Sequence, residues 1–126
     1  MTHMIFKENG RKECPTIIFI HGGGLSDWSL IPIVKNFQKD FHVITVIIDG
    51  HGDAAAETFI SIADSATKLI HFIDTECNRQ VFAIAGLSIG AQIVTEVLSQ
   101  RVDITKYAII ESALVYPIKG ITTFTV

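Results

Sequence analysis

Residues 80–98 read QVFAIAGLSIGAQIVTEVL, and this stretch decides the fold. Gln80 to Ala85 is an apolar, strand-like run, and Ala91 to Leu98 is an apolar, helix-like one. Between them lies Gly86-Leu87-Ser88-Ile89-Gly90, a G-x-S-x-G sequence. A serine hydroxyl is a poor nucleophile unless it is held proud of the backbone, near a base and near donors for an oxyanion. A sharp strand-to-helix turn does this, and small residues two before and two after the serine let the chain pack that tightly. The helix that follows points its positive N-terminal end at developing negative charge. The five residues alone arise readily by chance; the strand before them and the helix after them give the motif its weight.

Two other strand-like runs end in the same way. Thr16 to Ile20 (TIIFI) empties into His21-Gly22-Gly23-Gly24, where consecutive glycines let the backbone approach a ligand and turn its N–H groups toward it. This is not a phosphate loop, because the Lys-Ser/Thr of a Walker motif does not follow. Val43 to Ile48 (VITVII) empties into Asp49-Gly50-His51-Gly52-Asp53.

With these three motifs in this order, the chain resembles the N-terminal half of an α/β-hydrolase-fold protein over about residues 5 to 116. The family's HG oxyanion segment is matched by His21 to Gly24, its D-x-x-G-H-G loop, one residue shorter, by Asp49 to Gly52, and its nucleophile elbow by Gly86 to Gly90. The resemblance implies that Ser88 is the nucleophile. It implies that the N–H of Ile89 is one oxyanion donor and that of Gly23 or Gly24 the other. Leu25 and Trp28 follow the glycines and are candidates for the acyl pocket, although Trp28 equally suits packing on its own helix. Glu111 ends the strand after the elbow helix, where some members carry their acid; a structural role or a polar contact to substrate ranks ahead of that.

The chain's severe departure from the family concerns the triad. The expected order is Ser, then Asp or Glu, then His. After Ser88 the acids are Glu96, Asp103 and Glu111, and all five histidines (His3, His21, His42, His51, His71) precede it. His21 belongs to the oxyanion segment, and His51 is the nearest rival for a base. The family's body runs to about 200–250 residues. The expectation is therefore a fragment of a longer hydrolase, without lid, late strands, acid and histidine, and catalytically crippled alone.

Strand and helix patterns alternate, which predicts an α/β fold with a doubly wound, mainly parallel sheet and helices on both faces, in a single domain over 1–126. The predicted strands are Met4 to Lys7, Thr16 to Ile20, Val43 to Ile48, Val81 to Ala85 and Tyr107 to Ile110. Helices are predicted from Trp28 to Lys39, capped by Ser26 or Asp27, from Ser61 to Thr75 with Ala63, Ala66, Ile70 and Ile73 facing the core, and from Ile89 to Gln100. By the family's strand order the winding reverses between the strands carrying the glycine segment and Ser88, and ligands bind at such a switch point.

Composition narrows the function classes. Hydrophobic residues make up 48% and charged residues 18%, as expected of strands buried on both faces. The net charge of −3, with no basic cluster, argues against nucleic acid as a partner. No apolar run nears the ~20 residues that span a bilayer, and the first residues lack a signal-peptide core, so the expected location is cytoplasmic and no membrane partner is expected. Cys14 and Cys77 have no metal-type spacing and read as reduced thiols.

The leading reading is a serine hydrolase acting on a small ester, thioester or related acyl bond, without cofactor or metal. A binding protein of the same fold that has lost its base ranks second. A metallohydrolase using Asp49, His51 and Asp53 with His21 ranks last, because a second closely spaced histidine is missing. Tyr107 to Val115 would form an uncovered apolar edge, so self-association through that strand is also expected.

Overall fold

The structure, a computed structural model, describes residues 4–111. Five strands form one sheet: β1 (Ile5–Asn9), β2 (Thr16–Ile20), β3 (His42–Ile47), β4 (Val81–Leu87) and β5 (Thr105–Glu111). Their order is β1-β3-β2-β4-β5, parallel throughout except for β1, which runs antiparallel to β3. The mainly parallel, doubly wound expectation holds. β2 lies between β3 and β4, so the winding reverses beside it.

The helices α1 (Ile31–Phe37), α2 (Ile62–Glu76) and α3 (Ile89–Gln100) connect these strands. The sheet carries a large core on one side, where Ile18, Ile20, Ile44, Val46, Ile48 and Ile84 meet Leu69 and Ile73 of α2 and Ile93, Val94 and Val97 of α3. On the other side Ile17, Phe19, Val43, Ala83 and Ala85 form a smaller cluster with Leu30. β3 is buried along its whole length, as a central parallel strand should be.

Several elements differ from expectation. β1 runs two residues further, to Asn9, because its ladder with β3 continues as far as Asn9 opposite Val43. The first helix divides into a 3-10 turn, Asp27–Leu30, and the short α1, with Pro32 in the first turn of α1. Ser26 is extended but its side chain accepts no capping bond from that turn; its hydroxyl donates to the Asp27 carboxylate at 2.9 Å instead. Ser61 does cap α2, accepting from the Asp64 N–H at 3.0 Å. The buried stripe of α2 is Ser65, Ala66, Leu69 and Ile73, while Ala63 is exposed and Ile70 only half-buried. β5 is longer than predicted, extending from Thr105 to Glu111. The predicted edge beyond Glu111 lies outside the described residues.

Candidate active site

Ser88 sits between β4 and α3 with φ 57° and ψ −115°, a left-handed conformation that a non-glycine residue adopts only when its surroundings force it. Those surroundings are two glycines. A Cβ on Gly86 would lie 2.4 Å from the Gly90 oxygen, and one on Gly90 would lie 2.5 Å from the Ile20 oxygen and 2.7 Å from the His21 oxygen. The first clash would open the turn, and the second would push α3 off the end of β2. The Ser88 N–H donates to the Glu111 oxygen at 2.9 Å, which ties the turn to the end of β5.

The glycine segment lies directly alongside. Leu25 N–H donates to the Gly22 oxygen at 3.1 Å, closing a turn in which Gly24 takes the positive φ (75°) demanded at its third position. Gly22 faces Leu87, and a Cβ on Gly23 would meet the Ile89 side chain at 3.7 Å. Residues more than sixty positions apart thus meet at the carboxyl ends of β2 and β4. Ile89 opens α3, so its N–H has no acceptor one turn earlier in the helix. Among the described residues, the N–H groups of Gly23 and Gly24 also have no acceptor.

Leu25 and Glu111 line a common groove of about 480 Å³ with Leu87, Phe19, Ile33 and Ile109. Trp28 stands 59% exposed and does not line it. The tight 3-10 turn directs Leu30 inward instead.

The histidines fall in distinct settings. His21 is fully buried; its Nε2 accepts the Ile48 N–H at 3.1 Å, so Nδ1 carries the proton and donates to the Gly22 oxygen at 2.7 Å. Burial pushes its pKa down, and with its one lone pair occupied the ring cannot act as a base. It fixes the backbone of the glycine segment against the end of β3. His51 packs on His21, ring centroids 5.1 Å apart, and bonds the Asp49 oxygen through Nδ1 at 3.1 Å. His42 lies at the opposite end of the sheet, between Thr16 and Glu8, and His71 is exposed on α2. Among the described residues, no histidine hydrogen-bonds Ser88.

Two charged clusters escape sequence reasoning. Asp49 is fully buried and pairs with Lys68 of α2, which also bonds Asp64 at 3.0 Å. Burial opposes the Lys68 charge, but these hydrogen bonds outweigh it and raise its pKa. Lys7 of β1 bonds both Asp27, at 2.8 Å, and Asp53, at 2.9 Å. Asp49, His51 and Asp53 are therefore each engaged separately, and no three such groups among the described residues are placed to hold a metal ion.

The family model of the alpha/beta hydrolase family matches residues 17–123, most of the chain and all three loop motifs. The chain belongs to that family. It is 32% identical over 106 residues to (E)-2-((N-methylformamido)methylene)succinate hydrolase of Acinetobacter baylyi, covering 79% of this chain and 37% of that protein. Among solved structures, it superposes on the enol-lactonase of Burkholderia xenovorans LB400 with a TM-score of 0.78 at 18% identity, covering 88% of this chain and 44% of that one. A carboxylesterase of Bacillus subtilis gives 0.73 at 22% identity, with 87% and 39% covered. Likeness at that identity establishes the fold. This family member therefore spans less than half the length of each of these relatives. No helix among the described residues is long and apolar enough to cross a membrane.

Proposed function

We propose that this chain is the nucleophile-bearing half of a serine hydrolase that cleaves a small ester, thioester or related acyl bond. The observation that carries the reading is the left-handed Ser88, wedged between Gly86 and Gly90 with the glycine segment beside it. In this mechanism Ser88 Oγ adds to the acyl carbonyl carbon and gives its proton to a general base. The N–H groups of Ile89 and of Gly23 or Gly24 receive the oxyanion, the leaving group departs protonated, and water releases the acyl group. In this reading the base and its acid are supplied from outside these residues, supported by the greater length of the relatives and by the absence of histidine after Ser88. The relatives named for a hydrolase, a lactonase and a carboxylesterase agree with small acyl substrates.

Fluorophosphonate labelling of the native polypeptide, with its intact mass measured alongside, tests this. The label should map to Ser88, vanish in Ser88→Ala, and form at least about 100-fold more slowly in the 126-residue chain, as a base supplied from outside it requires. Rapid labelling of the 126-residue chain would refute the missing base. A binding protein without turnover is the second reading, favoured by the absence of any described histidine on Ser88. Ligand retention by native protein that never forms an acyl-enzyme would establish it.

A further inference from the structure

The glycine segment is weakly held by its own packing. Nothing approaches Gly24 within 4 Å on its Cβ side, and Gly23 meets only the Ile89 methyl there. Upstream it is anchored by β2 and His21. Downstream it runs through the buried Ser26 into Asp27, where two contacts join it to the Asp49–Asp53 loop. Gly52, with φ 46°, lies so close to Ser26 that a Cβ would fall 2.0 Å from the serine hydroxyl. Lys7, on a different strand, holds Asp27 with one N–H and Asp53 with another. The Ser26 hydroxyl also bonds the second oxygen of Asp27.

We infer that Lys7 is a positioning residue that locks the glycine segment to the Asp49–Asp53 loop, and so sets where the Gly23 and Gly24 N–H groups stand relative to Ile89. Its catalytic consequence rests on the serine hydrolase reading. Asp53 is exposed and Lys7 partly so, and the pairs therefore add little to global stability. Their effect is on geometry, where a small misplacement of an oxyanion donor has large kinetic leverage. Lys7 touches neither Ser88 nor the glycines and so is no catalytic residue.

The test compares the native protein with Lys7→Met and Lys7→Arg by amide hydrogen exchange, fluorophosphonate labelling and thermal melting. In Lys7→Met, exchange should quicken together at the bonded amides of Leu25, His51 and Ala54 while the sheet is unchanged. Ser88 labelling should slow about tenfold to a hundredfold, with the melting temperature nearly unmoved. Lys7→Arg, whose guanidinium carries donors enough for two carboxylates, should restore both readouts. Unchanged exchange in the two loops of Lys7→Met overturns the inference. So does a global rise in exchange with a parallel fall in melting temperature that arginine fails to rescue. If the unsubstituted protein never labels at Ser88, the hydrolase reading falls, and the loop exchange alone decides whether Lys7 couples the loops.

Discussion

At the scale of single residues, the turn at Ser88 depends on two glycines and the neighbouring glycine segment on a histidine. Gly90 has no room for a methyl group, since the Ile20 and His21 oxygens stand where its Cβ would go. Gly90→Ala should cost about 1–3 kcal/mol in urea unfolding, the range of overpacking, and should suppress labelling of Ser88. His21 makes a second prediction. Buried and neutral in the folded chain, it has a pKa below its unfolded value, so the unfolded state binds a proton first as pH falls. Its effect on stability is absent above the unfolded pKa of about 6.5, and stability should be lost as pH falls below that value. His21→Leu should flatten this slope below about pH 6.5, and should lower stability at neutral pH by about 1–3 kcal/mol, because the Ile48 N–H loses its acceptor.

At the scale of elements, α2 is fastened to the sheet by a buried ion pair as well as by its apolar stripe. Lys68 is 12% exposed and Asp49 is 1% exposed at the side chain, and the Asp49 Oδ1 atom has no hydrogen-bond partner among the described residues. Lys68→Met would leave the carboxylate buried without its cation and should cost about 3–5 kcal/mol in chemical denaturation. Adding Asp49→Asn should recover part of that loss. This pair also marks where sequence reading stops. Apolar periodicity selected Ala63 and Ile70 for the inner face of α2, because Ser65 looks polar and Lys68 looks solvated. Both lie toward the sheet, since Lys68 has a buried carboxylate to meet at the end of β3. The strands β2, β3 and β4 were legible because continuous β-branched runs have few other uses. The Ser88 turn was legible because its glycines answer a steric need. The Lys7 pairs were not, since they join residues 20 and 46 positions apart that only the sheet brings together.

At the scale of the molecule, the sheet is unevenly covered. Tyr107 and Ile109 of β5 are 51% and 58% exposed on the side facing the smaller cluster, beside the groove flanked by Ile33 and Phe37. No strand pairs with the outer edge of β5 among the described residues. An apolar strand with an open ladder is a template for association. The 126-residue polypeptide should therefore show concentration-dependent self-association in sedimentation velocity, and Ile109→Lys should reduce it. A clean monomer at high concentration would count against this reading. The order of strands, and with it the meeting of the glycine segment with Ser88, was expected from family resemblance; local patterns fix strands, whereas pairing order is a property of the whole chain.

The hydrogen bond from the Ser88 amide to the Glu111 carbonyl gives the serine turn a place in time as well as in space. During synthesis, β2 and β3 leave the ribosome long before β4, yet the serine cannot complete its own backbone bonding until the strand ending at Glu111 has emerged and docked. Translation reaches that strand within a few seconds of the turn. The backbone bonding of the serine turn is thus complete only once β5 lies against β4.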